Sequence, residues 1–576
     1  MALNAAMTVA ARSLEVFQTG IEVAGQNVAN ANTPGYVREE LRLESGYDYN
    51  VGRVIKGTGS HVTGIRLAVD TYLEHRLHAA NTDLATSETR SNAYLMLEGV
   101  LNELGDADIS TRLNDLLGSL NDFASEPTLG GLRELVLTNG REFADALKLV
   151  SSQVTELRNA YDTRIEATTT EANELVDRIH ELNAGIVRLE LGGTIHSDSG
   201  SLRSERLAAL DRLSQIVEIS VDERPSGAVD VRVGEDYLVL GTGTRHFETI
   251  PSSALYDVDQ RPEHIDGYRF VQLSENGSQN LPEGGELPAM IAARDDVLGG
   301  FLDQLNDYAA TFVFEFNKVY SAGSGTAGFT DVTGEHGVLD SAAVLSDAAA
   351  TGLDFTPQHG AFDLVVSNAS TGIAQTTTIV VDLDGIGGND VTLDDLALAI
   401  DAVAGVNAGV AADGRLSITS DAGFEFRFDG DTSGVLAALG VNTFFSGTGA
   451  ADVAVNSVLT DDPQLLAAGR GGGAGDARNV LDLIRLIEQP VAATGQSLDQ
   501  MYETLVFGVA QNSRAEQNDA AGFRDFHDGL RSQREQYSGV SIDEETVRLM
   551  QYQHSYTAAA RVLSTVDELM QILVNL

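Results

Sequence analysis

The sequence predicts an α+β multidomain chain: a discontinuous long-helix bundle and coiled coil formed by both termini, with two inserted β-rich domains. Three observations carry this. First, both ends bear a hydrophobic stripe with alternating steps of four and three residues. Near the N-terminus it is Leu3, Met7, Ala10, Leu14, Phe17, Ile21, Ala24 and Val28. Near the C-terminus it is Ile542, Glu545, Leu549, Tyr552, Tyr556, Ala559, Leu563, Val566, Met570 and Leu573, with only Glu545 breaking the apolar pattern. Such alternation keeps one face of a helix on a partner over its whole length. Second, long helical periodicities recur at 69–190, 289–319 and 477–576, with charged residues on the remaining faces, as in rods packed side by side. Third, two blocks of alternating strands and turns interrupt them, one ending near 288 and one over 329–460.

Along the chain, residues 3–30 read as one helix, closed by the turn Asn32-Thr33-Pro34-Gly35, because Pro cannot continue a helix and Gly follows as a turn residue. Residues 36–66 read as extended. Helix follows from 69 to about 104 and again over 110–190, broken at Glu126-Pro127-Thr128-Leu129-Gly130-Gly131. Its second stripe includes Leu147, Val150, Val154, Leu157, Tyr161 and Ile165. The character changes at Gly192-Gly193. A helix near 200–216 leads into strands such as Val229-Asp230-Val231-Arg232-Val233 and Tyr237-Leu238-Val239-Leu240, punctuated by Pro225-Ser226-Gly227 and Gly241-Thr242-Gly243. A long helix returns over 289–319. The second insert holds the strand Thr376-Thr377-Thr378-Ile379-Val380-Val381-Asp382-Leu383, a short helix at 393–402, and strands at 416–419 and 424–428. Gly469-Arg470-Gly471-Gly472-Gly473 reads as a flexible connection before the final helices.

Composition excludes several function classes. With 37 basic and 85 acidic residues the formal charge is −48. Nucleic acid is not expected as a partner, because phosphate binding needs clustered Lys and Arg. An anionic membrane surface is disfavoured for the same reason. No run approaches the roughly 18 apolar residues of a spanning helix. Hydrophobic residues make up 43% of the chain, which supports globular cores. Cysteine is absent, so disulfides, thiol catalysis and thiolate metal sites are all removed. No basic segment followed by an apolar core marks a Sec-type signal, which leaves a cytosolic protein or export without a cleaved signal. Strong acidity makes copies repel, so self-assembly requires local apolar seams.

No motif points to catalysis, and no catalytic, cofactor-binding or metal-binding residues are expected. The stretch Asp382-Leu383-Asp384-Gly385-Ile386-Gly387-Gly388-Asn389-Asp390 invites comparison with a calcium loop, but its Gly comes early and the closing Glu is missing, so a solvated turn is expected. The glycines at 469–475 lack the Lys of a phosphate cradle and a strong preceding strand. His75 and His78, with Glu74 adjacent, imply no third zinc ligand by spacing and read as an exposed polar face. What remains is the pair of stripes, whose periodicity leaves open a seam between subunits or an internal core.

Gly25-Gln26-Asn27-Val28-Ala29-Asn30-Ala31-Asn32-Thr33-Pro34-Gly35-Tyr36 closely resembles the N-terminal signature of the bacterial flagellar axial proteins, the family of rod, hook and hook-associated subunits. The closing helix, with Tyr552-Gln553, Tyr556, Ala559-Ala560-Arg561-Val562 and Thr565-Val566-Asp567-Glu568-Leu569-Met570, resembles the C-terminal partner signature. Within this group the hook-associated protein 1 family matches best. Ser538-Gly539-Val540-Ser541-Ile542-Asp543-Glu544-Glu545, the segments Gly57-Thr58-Gly59, Val62-Thr63-Gly64-Ile65-Arg66 and Asp70-Thr71-Tyr72-Leu73, and the long helices of 69–190 carry that likeness. Met7 departs from it, standing where small residues are common in relatives.

The resemblance implies a structural role without enzymatic activity and without cofactors. Residues 1–35 and 540–576 would form terminal coiled-coil helices as an inner layer. Residues 36–191, 289–320 and 461–539 would form a discontinuous helical domain, with β-rich inserts at 192–288 and 321–460, the second facing outward. The assembly seam would comprise Leu3, Met7, Leu14, Phe17, Ile21, Val28, Leu549, Tyr552, Tyr556, Ala559, Leu563, Val566, Met570 and Leu573. Asn27, Asn30, Asn32, Pro34, Gly35 and Tyr36 would form the signature turn. Implied partners are further copies in a ring-like layer, the hook protein, the other junction hook-associated protein, and an export chaperone on the C-terminal helix. The implied place is the hook–filament junction outside the cell, reached by type III export without a cleaved signal. Two alternatives stand beside this: another axial subunit such as a hook protein, and a secreted adhesin or calcium-binding protein using the acidic insert.

Overall fold

The computed structural model describes residues 2–51, 54–101, 108–190, 197–241, 243–255, 265–278, 281–491 and 495–574. Gly192-Gly193, Thr242 and the expected helix end near 104 lie outside these residues. In chain order the longer helices and their neighbours are α1 (Ala2–Asn30), α2 (Thr71–Leu101), α3 (Ile109–Ser125), α4 (Gly130–Glu190), α5 (Gly200–Ile216), α6 (Glu286–Ala292) and α7 (Gly300–Ser321). There follow α8 (Ala348–Thr351), α9 (Leu393–Asp401), α10 (Val435–Ala438), α11 (Ser457–Asp461), α12 (Arg478–Leu486), α13 (Leu498–Ser538) and α14 (Ile542–Val574). Strands β1 (Glu39–Ser45), β2 (Tyr49–Val51), β3 (Val54–Lys56) and β4 (Ser60–Leu67) follow α1. After α5 come β5 (Ser220–Glu223), β6 (Val229–Val233), β7 (Asp236–Leu240), β8 (Gly243–Thr244), β9 (Phe247–Pro251) and β10 (Arg269–Leu273). After α7 come β11 (Asp331–Thr333), β12 (Gly360–Asn368), β13 (Ala374–Val381), β14 (Val406–Val410), β15 (Leu416–Ser420), β16 (Phe424–Asp429), β17 (Phe445–Ser446) and β18 (Ala454–Val455). The chain is thus an α+β multidomain protein. Among the described residues no helix is long and apolar enough to cross a membrane.

Two compact units divide it: residues 1–93, 159–295 and 513–576 form one, and 94–158 with 296–512 form the other. In the first unit, β1 and β4 pair antiparallel with a bulge at Arg42/Leu43, and β5-β6-β7-β8 form an antiparallel sheet. The second part of α4 lies antiparallel beside α5, as ion pairs Glu171–Arg212 and Glu190–Arg203 show at its two ends. Buried Asn183 and half-buried Asn173 dock strands onto this helix. Asn183 donates to Val229 O at 2.8 Å and accepts from Val229 N at 3.0 Å, while Asn173 does the same for Phe247. Each amide satisfies one backbone donor and one acceptor at once, which a buried strand end requires.

The expected single helix over 289–319 is interrupted. Residues Ala293–Gly299 form a π-helical segment between α6 and α7. The wider i→i+5 turn takes up an extra residue, which shifts the apolar face along the helix without ending it. Arg294 within it is fully buried and pairs with Asp162 and Asp295.

The second unit is built on aromatic packing. On α7, Tyr308, Phe312, Phe316 and Tyr320 are buried, and Phe143, Phe444 and Phe445 close around the last three at centroid distances of 4.7–5.8 Å. Asn317 holds the same junction by donating to Phe445 O and accepting from the backbone N–H groups of Phe444 and Phe445. β12 lies central between β13 and β16, and β15 between β11 and β14. The helix expected at 393–402 is α9, started by a capping box between Thr392 and Asp395.

The glycine-rich stretch expected to be a flexible connection is a closed turn. The Asp476 carboxylate accepts from the backbone N–H groups of Arg470, Gly472 and Arg478 and pairs with the Arg478 side chain. Gly469 pairs with Ser324. The Arg478 and backbone donors hold the Asp476 carboxyl far below the ordinary range. Sequence reading missed this because the organising residue is a single Asp beyond the glycines.

A cavity of about 270 Å³ in this unit is lined by Glu335, His336, Phe314 and Phe355, the two rings stacked at 4.2 Å. Burial raises the Glu335 carboxyl from 4.5 to about 7. A raised carboxyl favours the folded state below its unfolded value, and this contribution is lost as pH rises from 4.5 to about 7. Glu335→Gln is therefore expected to stabilise this unit by about 1–2 kcal/mol at pH 8, after discounting for solvent screening, and to change little near pH 4.5. Urea unfolding at the two pH values checks this; an equal difference at both would refute it.

Candidate assembly interface

α1 ends where the sequence places its stop: Thr33 N bonds Asn30 O, and Gly35 follows with φ of +76°, a conformation suited to glycine. α14 begins with Asp543, Glu544 and Glu545 in its first turn, where negative charge suits the helix dipole. The two helices run antiparallel against each other: Asn27 touches Glu545 at one level and Gly20 meets Tyr552 at the next.

The most buried line of α1 is Ala10, Val16, Gly20, Val23, Ala24 and Asn27. Of the stripe residues on this helix, Leu3, Leu14, Phe17, Ile21 and Val28 are half-buried and Met7 is 43% exposed. On α14 the least exposed line runs through Glu545, Leu549, Tyr552, Ala559, Leu563, Val566 and Met570, of which Glu545 and Val566 are buried. Tyr556 and Leu573 on the same stripe are exposed. The displacement on α1 has a steric cause. Small residues at 10, 20 and 24 let the larger α14 side chains approach its backbone. A Cβ on Gly20 would lie 2.9 Å from three ring atoms of Tyr552. Gly20→Leu is expected to force that ring aside and weaken the pairing by about 1–3 kcal/mol, although Leu is the better helix former by about 0.8 kcal/mol. Hydrogen exchange over 542–574 reads the effect; unchanged protection would sink the argument.

Glu545, the one break in the stripe, is 2% exposed. Its Oε1 pairs with Arg548 at 2.8 Å and its Oε2 accepts from Asn27 Nδ2 at 3.1 Å. Asn27 is itself fully buried and has every bond it can make. Its amide also donates to Glu39 O at 2.9 Å, and its Oδ1 accepts from Glu39 N at 2.9 Å and Tyr36 OH at 3.0 Å. Burial, then Glu39 and Glu545, push the Tyr36 hydroxyl well above its ordinary range, so it stays protonated as a donor. One asparagine thus ties α1, the turn, β1 and α14 together. Asn30 bonds locally, donating to Gln26 O and accepting from Thr33 Oγ1, while Asn32 and Pro34 are exposed. Arg38 N donates to Ser538 O at 2.9 Å, which fixes the turn to the joint between α13 and α14.

Outward, α14 keeps a second apolar line: Val547, Met550, Val562, Leu569 and Ile572 are 47–58% exposed. Nothing in the sequence periodicity separated this line from the first, because both recur at helical spacing. Among the described residues, side chains able to hold a metal converge at Glu74, His78 and Asp211, and at His359, Asp382 and Asp384. His78 and Glu74 are buried, so the exposed face expected at 74–78 is correct only for His75. The turn at 382–390 is built from local bonds, Asp384 capping Ile386 N and Asp390 capping Gly385 N.

The model of the flagellar hook-associated protein FlgK helical domain matches residues 94–335, and that of the flagellar basal body rod FlgEFG protein C-terminal region matches 531–576. Flagellar hook-associated protein 1 of Bacillus subtilis is 23% identical over 98% of this chain and 97% of its own length. The protein of that name from Escherichia coli is 23% identical over 98% of each chain. A solved structure, the flagellar hook junction protein FlgK from Burkholderia pseudomallei, aligns with a TM-score of 0.48 at 15% identity, covering 80% of this chain and 99% of that one. With both terminal signatures in order and likeness over nearly the whole length of these relatives, the chain is similar throughout to the flagellar hook-associated protein 1 (FlgK) family.

Proposed function

We propose that this chain is a structural subunit of the bacterial flagellum at the hook–filament junction, needed for filament assembly and without enzymatic activity. The observation that carries it is the antiparallel α1–α14 pair with a second apolar line left open on α14. A soluble chain with charge −48 gains nothing from exposing Val562, Leu569 and Ile572 unless another surface covers them. Neighbouring copies in a ring-like layer supply that cover, with the half-buried residues Leu3, Leu14, Phe17, Ile21 and Val28 on the adjacent flank of α1. Terminal helices then form the inner layer and the acidic insert at 321–460 faces outward.

The same open line explains a need for an export chaperone on 540–576, since an amphipathic helix with a bare apolar face is prone to premature association. The hook protein and the other junction hook-associated protein are the neighbours on either side. The location is extracellular, on the flagellum. A strain lacking the gene is expected to carry hooks without filaments and to shed filament protein into the medium. If hooks are missing as well, the chain is a hook or rod subunit instead.

A further inference from the structure

Three side chains of the first unit converge in its interior on a point no assembly contact uses. Glu74 and His78 stand one turn apart on the same face of α2, and Asp211 faces them from α5. One ligand atom from each lies within 4.8 Å of the other two. His78 and Glu74 are 4% and 6% exposed. Arg534 of α13 holds one oxygen of each carboxylate: its Nε lies 3.0 Å from Glu74 Oε1 and its Nη1 2.6 Å from Asp211 Oδ2. The other oxygens, Glu74 Oε2 and Asp211 Oδ1, are buried without a hydrogen-bond partner, and so are both nitrogens of His78. The imidazole Nε2 sits 3.4 Å from Asp211 Oδ1, out of alignment for a hydrogen bond.

Such a set is costly as it stands, because these buried polar atoms have lost water and gained no hydrogen bond. We infer that Glu74, His78 and Asp211 form a divalent cation site, with Arg534 as the outer partner that orients both carboxylates. Two carboxylates balance the charge of the ion, and Arg534 binds the oxygens the ion does not use. One imidazole nitrogen with two carboxylate oxygens suits Zn²⁺, or Mn²⁺ which accepts a mixed shell, better than Ca²⁺ or Mg²⁺, which favour all-oxygen shells. A cavity of about 300 Å³, lined by Asp211, Asn81, Gln215 and Arg534, opens beside the site and gives room for water ligands and a route of entry. The ion joins α2, α5 and, through Arg534, α13, the helix that leads into α14. The role is independent of the assembly reading.

The test uses the purified full chain, stripped with a chelator, gel-filtered and titrated with Mn²⁺ under electron paramagnetic resonance. One bound equivalent with ¹⁴N coupling, displaced by Zn²⁺, is expected. Zn²⁺ at saturation should raise the Tm of the first unit by about 5 °C. His78→Asn and Glu74→Gln should each lower Mn²⁺ affinity at least about 100-fold, while His359→Ala in the exposed cluster leaves it unchanged. Absence of bound Mn²⁺ and Zn²⁺ at about 0.1 mM overturns the proposal. Unchanged affinity in a folded His78→Asn chain also overturns it. Should both variants fail to fold, the wild-type spectrum decides, and bound Mn²⁺ without ¹⁴N coupling counts against the site.

Discussion

Removing residues 540–576 is expected to abolish filament growth, with swimming reduced to the level of a strain lacking the gene. The deletion takes away α14, which packs on α1 at Gly20 and Asn27, and so opens the face on which Val16, Val23 and Ala24 are buried. Each valine returned to water forfeits roughly 1.5–3 kcal/mol, and a helix that loses its packing partner loses most of its stability. The buried Asn27 amide also loses the Glu545 carboxylate. The second unit lies wholly within 94–512 and should keep its unfolding transition. Motility assays and electron microscopy of hooks read the first effect, calorimetry of the purified chain the second. Normal filaments built with the truncated chain would refute the assembly role of α14. Loss of both transitions would show that the helix pair is part of a common core.

Asn27→Leu should be the most damaging single substitution in the signature turn. Leucine has nearly the same volume but cannot bond. It leaves Glu545 Oε2, Tyr36 OH and both backbone groups of Glu39 without their partner in a buried site. The buried carboxylate oxygen left without its donor, beside the Arg548 pair that remains, dominates the cost, which should total about 3–5 kcal/mol. Asn30→Ala, three positions on, removes a bond within its own helix turn and should cost only about 0.5 kcal/mol. Hydrogen exchange of α1 and α14 distinguishes the two. A double-mutant cycle with Glu545→Gln isolates the pairwise part. Equal effects at 27 and 30 would mean that Asn27 is a turn residue and no more.

These two asparagines show how far the sequence could be read. Both belong to one recognisable motif, and nothing in their spacing separates a helix-end residue from a four-way buried junction. The difference comes from Glu39 and Glu545, which lie 12 and 518 positions from Asn27. Glu545 looked like a flaw in an apolar stripe. In the structure it is the acceptor that fixes the level at which the two helices meet. A polar residue at a seam position sets register at some cost in stability, and a partner far along the chain is invisible to local periodicity.

The sequence by itself determined the helices, their order, and the presence of apolar faces at both ends. Local spacing encodes these because a helix repeats every 3.6 residues whatever it packs against. Turn chemistry at Pro34-Gly35 and the short helix at 393–402 were legible for the same local reason. Only the tertiary structure decided which line of α1 is deepest, since that depends on how closely Tyr552 can approach Gly20. It also decided that Gly469–Gly473 closes around Asp476, and that Glu74 and His78 meet Asp211 in the interior. Each of these joins residues whose separation along the chain carries no periodic signal, so it is set by packing between elements and appears only once the chain has folded.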